Sequence, residues 1–253
     1  MAELDARLSC VLYYFIIPGV VVYVVAVYVL GLNRHKLHHF VHGLTTYWMH
    51  KHLFLKVKEI LFQGIHDMRK KSQADLNILE IGVGKGENFS FYPKGTNLTC
   101  LDPHPHHHGG QHHLHKNLEE SGNNVKLVGF LHNFAEDMSD VEDNTFDAVV
   151  CTFVMCTVRD PAATLAEVKR VLKPGGAFFF LEHVAGQKGT LTRCFQNFVQ
   201  FLWPSNKSKG NINRETWTFL DQSGFSKVEY KHYTANTWLF FFVGPCIYGT
   251  AVK

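Results

Sequence analysis

The fold is decided by the stretch Leu79-Glu80-Ile81-Gly82-Val83-Gly84-Lys85-Gly86-Glu87-Asn88, in which an apolar strand runs directly into a glycine-rich turn. Glycines let the backbone turn tightly and approach a ligand closely. Dinucleotide-binding folds have the pattern G-x-G-x-x-G around a pyrophosphate, whereas this turn has G-x-G-x-G. The acidic Glu80 before the turn suits a ligand with a cationic amino group and no phosphate. An accidental glycine cluster is the alternative, and the preceding strand argues against it.

The chain around this turn alternates strands, turns and helices, which predicts an α/β fold with a Rossmann-like, doubly wound and mostly parallel sheet. A helix over 160–172 ends at Lys173-Pro174-Gly175-Gly176, and Asn213 is predicted to cap a closing helix that Gly224 ends. The predicted strands are 77–81, 98–101, 125–128, 146–152, 177–182, 227–233 and 247–252.

The N-terminal region contains a run of 25 residues, Leu8 to Leu32, without a charged side chain. About 20 apolar residues cross a bilayer as a helix, so the run predicts a membrane anchor. A signal peptide fits poorly, because the residues before the run are not basic overall. Basic residues after the run place the rest of the chain in the cytosol. Pro18-Gly19 leaves open a hairpin that enters and leaves one leaflet.

Three segments are expected: a hydrophobic membrane anchor over 1–32, an amphipathic helical connector over 33–75, and the α/β domain over 76–253. The first connector helix, from Leu37 to Trp48, either lies on the bilayer surface or caps the core. A second helical stretch, from Val57 to Met68, is followed by three basic residues, which suit a helix C-terminus.

Composition and charge exclude some partners and ligands. The formal net charge is only +3, and Lys and Arg are spread along the chain, which argues against nucleic-acid binding. The six cysteines form no C-x-x-C pair and are interpreted as reduced thiols. Seven histidines lie between His104 and His115 with no cysteine or acid among them, so no metal site is predicted there and the segment is interpreted as a variable loop.

Asp102, at the end of the second strand, is placed where a carboxylate can accept both hydroxyls of a ribose. An Asp-Pro turn with Pro103 is the structural alternative. From about Asn77 to its end, the chain resembles the class I S-adenosylmethionine-dependent methyltransferases. The resemblance implies that the glycine-rich turn holds the methionine part of S-adenosylmethionine, that Asp102 holds the ribose, and that Phe134–Met138 flanks the adenine. The predicted cofactor-binding residues are Glu80, Gly82, Gly84, Gly86, Asn88, Asp102, Pro103, Ala135, Glu136 and Cys151.

More narrowly, the chain is similar to the membrane-anchored alkyl-thiol S-methyltransferases. The matching features are the uncharged N-terminal run, Asn88-Phe89-x-Phe91-Tyr92-Pro93, Val150-Cys151-Thr152-x-Val154-x-Cys156, Leu181-Glu182-His183-Val184-Ala185 and the C-terminal Ile247-Tyr248-Gly249-x-Ala251-Val252-Lys253. The resemblance implies methyl transfer to small lipophilic thiols at the endoplasmic reticulum membrane or lipid-droplet surface. The alternatives are another lipophilic acceptor, such as a lipid, quinone or phenol, and a non-catalytic membrane or lipid-droplet protein that retains the fold.

A thiol acceptor must lose its proton, and free thiols have a pKa of about 8.5. His183 and Glu182 follow the fifth strand, where such sheets open a ligand crevice, and are the predicted catalytic residues; anchoring of a loop is an equally open role. Cys151 and Cys156 are interpreted as packing residues, because direct methyl transfer needs no covalent intermediate. The apolar helical stripe from Leu191 to Leu202 is either core or an acceptor surface.

Overall fold

A seven-stranded sheet organises the residues that the computed structural model describes, which are 53–103, 110–122, 124–202, 210–235 and 241–253. The strands are β1 Leu76–Ile81, β2 Thr96–Leu101, β3 Val125–Leu131, β4 Phe146–Thr152, β5 Leu172–His183, β6 Lys227–Thr234 and β7 Pro245–Val252. The helices are α1 Leu55–Lys71, α2 Gly110–Glu120, α3 Pro161–Val171, α4 Leu191–Leu202 and α5 Thr216–Gln222, with a short 3-10 helix at Phe89–Phe91.

The strand order is β3-β2-β1-β4-β5-β7-β6. The first five strands of this order are parallel, and β7 is antiparallel to both β5 and β6. The predicted mostly parallel α/β sheet is therefore confirmed. Because the order reverses between β1 and β4, their carboxyl ends border the crevice in which such sheets bind ligands.

Each face of the sheet packs against different helices. Gly64 of α1 lies so close to Phe179 of β5 that a Cβ there would sit 2.7 Å from the ring. On the other face, Phe178 and Phe180 belong to one buried cluster with Leu165 of α3. Side chains alternate along a strand, so neighbouring residues of β5 point into different layers. The second predicted connector helix thus packs on the sheet as α1.

Several helix and strand ends differ from the predicted bounds, and the cap of α5 and the start of β5 differ most clearly. Asp160 caps α3, since its carboxylate accepts hydrogen bonds from the backbone N–H groups of Ala162 and Ala163. The prediction that Asn213 caps α5 is wrong, because the N-cap position is Glu215 and the Asn213 amide donates to Asn197 instead. β5 begins at Leu172, earlier than predicted, because its first residues pair with β4 across a register shift.

Several predicted segments lie outside the described residues. They are the anchor 8–32, the first connector helix and the histidines from His104 to His108. The interpretation of the whole histidine-rich segment as a loop is wrong for its second half, because the backbone is helical from Gly110 to Glu120. Among the helices of the described part, none combines the length and apolar character needed to cross a membrane. The three-segment division of the chain stays a prediction.

Candidate functional site

The glycine-rich turn leaves the carboxyl end of β1 and bends toward β4. Gly82, at φ +71°, is packed so tightly that a Cβ would sit 2.2 Å from Cγ2 of Val154. Gly84, at φ +52°, is exposed, and apart from its chain neighbours no atom of the described residues lies within 4 Å of the position its Cβ would take. Gly86 packs internally, on the ring of Phe89. The turn is therefore held at Gly82 and open toward a ligand at Gly84.

Asp102 follows β2 beside this open position. Its Oδ2 accepts a hydrogen bond of 3.2 Å from the backbone N–H of Gly84, so the second strand end and the turn meet. Asp102 and Pro103 are both partly exposed, which leaves the carboxylate within reach of a ligand.

A buried hydrogen-bond network lies under the turn. Oε1 of Glu80 accepts from Nδ2 of Asn88 at 2.9 Å, and Oε2 accepts from the Tyr92 hydroxyl at 2.8 Å. Burial raises the pKa of Glu80 to about 7. The same Asn88 nitrogen donates to Oγ1 of Thr152 at 2.9 Å, which joins the ends of β1 and β4. Oδ1 of Asn88 is buried and has no hydrogen-bond partner among the described residues.

Lys58 of α1 is a functional candidate that the sequence analysis missed. Its side chain is 1% exposed, and its Nζ lies 5.6 Å from the centroid of the Phe91 ring. Burial lowers the pKa of Lys58 to about 8, while the charges of Glu87 and Glu80 oppose that shift. Lys58 thus places a cation behind the acidic residues of the turn. A lone lysine inside a helical apolar stripe carries no sequence signal of this role.

The segment predicted to flank the adenine follows β3. Ala135 is buried, and Oε1 of Glu136 accepts hydrogen bonds from the backbone N–H groups of Arg159 and Asp160. Phe134 is exposed, and the Arg159 guanidinium lies 4.9 Å from its ring centroid. Glu136 therefore ties this segment to the loop that precedes α3.

Cys151, also predicted to bind the cofactor, lies at the end of β4 in register with Ile81 of β1. It is buried in the core beneath the site. Burial raises the pKa of Cys151 well above its usual range and raises that of Cys156 to about 12. Both side chains therefore remain neutral thiols at physiological pH.

The predicted catalytic pair, Glu182 and His183, ends β5 with the two side chains on opposite faces of the sheet. Glu182 is fully buried, and its Oε2 accepts a hydrogen bond of 2.9 Å from the backbone N–H of Met155. Burial raises the pKa of Glu182 to about 7. The His183 ring lies 4.4 Å from that of Phe153 and 5.5 Å from that of Phe54, and burial lowers its pKa to about 4. His183 is therefore a neutral imidazole at physiological pH.

The loop after β4, residues 153–158, is held from two sides. The Glu182 carboxylate accepts a hydrogen bond from the backbone N–H of Met155. From the other side, Nη1 of Arg214 donates to the carbonyls of Met155 and Val158. Val154 of this loop packs on Gly82. Glu182 and Arg214 thus position the loop that packs on the glycine-rich turn. The role of Arg214 depends on a contact across 59 residues, which local sequence does not show.

Comparisons with known proteins agree with this geometry. A family model described as a methyltransferase domain matches residues 79–180. A thiol S-methyltransferase of Homo sapiens, TMT1A, is 38% identical over 197 residues, which are 78% of either chain. A second one, TMT1B of Homo sapiens, is 40% identical over 197 residues, again 78% of either chain. The chain belongs to the thiol S-methyltransferase family.

The fold of this protein is similar to that of a solved S-adenosylmethionine-dependent methyltransferase from Methanosarcina mazei. The TM-score is 0.55 at 19% identity, covering 74% of this chain and 96% of the other. Family membership makes S-adenosylmethionine its cofactor.

The residues of the turn fit this cofactor in three respects. The space beside Gly84 is open, the Asp102 carboxylate lies at its edge, and the unpaired Oδ1 of Asn88 can accept a hydrogen bond from an ammonium group.

Proposed function

We propose that this chain is a membrane-anchored, S-adenosylmethionine-dependent methyltransferase that acts on small lipophilic thiols. The observation that carries the proposal is the identity of 38% and 40% to two thiol S-methyltransferases over 78% of the chain. The open, hydrogen-bonded turn around Gly84 supports it, because a scaffold protein has no need of a cofactor cradle.

Three groups of the chain hold the cofactor in this proposal. The backbone at Gly84 faces it, Asp102 accepts the ribose hydroxyls, and Oδ1 of Asn88 accepts from the amino group of the methionine part. Bound S-adenosylmethionine supplies an electrophilic methyl group. The chain contributes positioning and exclusion of water, through the loop that Glu182 and Arg214 hold in place.

His183 is assigned as the group that takes the thiol proton. The imidazole is neutral at physiological pH, and the residue is partly exposed at the carboxyl end of β5. With a pKa of about 4 it is a weak base, so it takes the proton as the sulfur attacks the methyl group, when the S–H becomes strongly acidic. Glu182 is assigned as a positioning residue, because it is fully buried and already accepts the Met155 N–H. The two roles separate because adjacent strand residues face opposite sides of the sheet.

The proposed location is the endoplasmic reticulum membrane or the lipid-droplet surface, with the α/β domain in the cytosol. Support comes from the uncharged run Leu8–Leu32 and from the basic residues that follow it. Lipophilic thiols concentrate in such membranes, so an anchored enzyme meets its substrate there.

The test is methyl transfer from labelled S-adenosylmethionine by the purified full chain in phospholipid vesicles. The acceptors are an alkanethiol and the alcohol, amine, phenol and quinone of matched hydrophobicity. We expect a labelled thioether from the thiol alone. Asp102→Ala is the control variant and should lose both cofactor binding in calorimetry and transfer. Label only on the phenol, quinone or lipid would identify the alternative acceptor, and cofactor binding without transfer to any acceptor would indicate a non-catalytic protein.

A further inference from the structure

Helix α4 turns polar side chains toward the domain. Gln196 is fully buried; its Oε1 accepts from the N–H of Gly186 at 2.7 Å, and its Nε2 donates to the carbonyls of Val184 and Phe242 at 3.1 and 2.8 Å. Arg193 forms an ion pair of 2.9 Å with Glu215. Phe195 packs beside them on the rings of Phe241 and Phe242, at 5.1 and 5.3 Å between centroids. The inner face of α4 is therefore attached through hydrogen bonds, an ion pair and aromatic contacts.

Other apolar side chains of α4 are exposed. Leu191 is 57% exposed, Phe198 is 56% exposed and Phe201 is 81% exposed, and Cys194 between them is also exposed. Their spacing of three and four residues places them on one side of the helix. We call this set, Leu191, Cys194, Phe198 and Phe201, the outward face. Contiguous apolar surface of this kind marks a contact with a protein or a membrane.

The charge of the sequence around α4 favours a membrane over a protein as the partner of this face. From His183 to Arg214 the sequence contains five basic residues and no acidic residue, in a chain whose net charge is only +3. Three of them, Lys188, Lys207 and Lys209, flank α4 in the sequence, and the Lys188 side chain is 82% exposed. The other two, Arg193 and Arg214, are engaged with Glu215 and with backbone carbonyls of the domain. A helix with exposed aromatic and aliphatic side chains, in a sequence that is basic and lacks acidic residues, is typical of helices that lie in the interface of anionic membranes.

We infer that the outward face of α4 inserts into the headgroup and acyl-chain boundary of a phospholipid membrane. The inference rests on the proposed membrane attachment and adds to it a second contact, separate from the N-terminal run. Gln196 ties α4 to the loop after β5, so this contact brings the carboxyl edge of the sheet next to the bilayer. A lipophilic acceptor would then enter the crevice from the membrane.

The test is photo-crosslinking in the full chain. The photoreactive amino acid p-benzoylphenylalanine replaces Phe198 or Phe201 in separate variants, which are reconstituted into phosphatidylcholine and phosphatidylserine vesicles and irradiated. The matched control position is Val128 of β3, which is 60% exposed. Calorimetry with S-adenosylmethionine confirms that each variant is folded.

We expect phospholipid adducts at 198 and 201 and none at 128. Adducts only to peptides of this chain or of a second copy would overturn the inference, as would equal lipid labelling at 128. A protein that sediments with vesicles and gives no lipid adduct at 198 or 201 would overturn this inference alone. A protein that does not sediment with vesicles would overturn the proposed attachment as well.

A second variant tests the consequence for the substrate. The double substitution Phe198→Glu and Phe201→Glu should lower turnover of a long-chain thiol dissolved in vesicles by roughly tenfold, because the acceptor no longer enters from the bilayer. Turnover of a water-soluble thiol should stay unchanged, as should both activities in the control Val128→Glu. Equal loss with both thiols would contradict the inference. Absence of turnover with any thiol in the unmodified protein would instead contradict the proposed function.

Discussion

One amide organises the cofactor site at the scale of single residues. Asn88 donates to both Glu80 and Thr152, which fixes its side chain between two strand ends. Its carbonyl oxygen is thereby left without a partner among the described residues, and a buried acceptor without a partner costs stability. The arrangement is explained if the methionine amino group of the cofactor completes it.

Gly84→Ala should reduce affinity for S-adenosylmethionine far more than it reduces stability. An alanine at φ +52° costs about 1–2 kcal/mol, and its methyl group would also occupy the open space of the cradle. The matched control is Gly175→Ala, near the amino end of β5. Gly175 has φ +77° and the same open surroundings but lies away from the carboxyl ends of the strands. Calorimetry and thermal unfolding measure the two effects. Equal losses of affinity in both variants would contradict the assignment of the cradle.

Glu182→Gln should stabilise the protein increasingly as the pH rises. The folded pKa of Glu182, about 7, lies above the ordinary 4.5, so the folded state holds a proton that the unfolded state has lost between these values. The contribution of Glu182 to the free energy of unfolding is therefore fully present below about pH 4.5 and is lost as the pH rises through 7. The loss is on the order of 3 kcal/mol. Thermal unfolding of both proteins from pH 4.5 to 8 measures the difference. A difference that does not change with pH would contradict the raised pKa.

At the scale of the element, strand β5 divides two functions between adjacent residues. The strand alternation places the Glu182 carboxylate against the backbone of Met155 and the His183 ring against the rings of Phe54 and Phe153. The two side chains therefore do not act on one thiol together. Each should give its own dependence of turnover on pH.

His183→Asn should lower turnover most at pH values below the pKa of the thiol acceptor. Little thiolate exists there without a base, whereas at higher pH the thiolate arrives already formed. A more acidic thiol should restore turnover at lower pH. The control variant Glu182→Gln should not show this low-pH loss. A loss by the same factor at every pH in His183→Asn would mean that the residue positions the substrate.

At the scale of the whole molecule, the described domain includes a helix that precedes the first strand. Phe54 before α1 and Phe62 within it are almost completely buried, and Gly64 packs directly on Phe179. The N-terminal boundary of the stable unit therefore lies before α1.

Deletion of residues 1–32 should release the protein from microsomal membranes after a high-salt wash and leave S-adenosylmethionine binding intact. The proposed anchor is removed, while every described buried residue remains. Deletion of residues 1–72 is the contrasting variant and should lose cofactor binding, because it removes α1 from the sheet. Sedimentation and calorimetry measure the outcomes. If the shorter deletion stays in the washed pellet, the N-terminal run is not the main attachment.

Local signals were sufficient to predict most of the fold and the cofactor turn. The strands around Glu80, Cys151 and Phe180 are apolar runs, and their alternation with helices predicts a parallel sheet. The positive φ of Gly82 and Gly84 follows from a tight turn after a strand. Local sequence did not predict the N-cap of α5. Several residues before a helix can occupy the cap position, and tertiary packing decides that Glu215 rather than Asn213 does so.

The amino-acid sequence by itself determined the order of the elements and the chemistry of the cofactor turn, because both depend on residues close together in the chain. Tertiary structure alone decided the contacts that join distant residues: Lys58 behind Glu80, and Arg214 on the loop after β4. It also decided the orientation of α4. Periodicity predicts an apolar stripe on this helix, but only the contacts of Gln196 and Phe195 show which of its residues face the domain and which face outward.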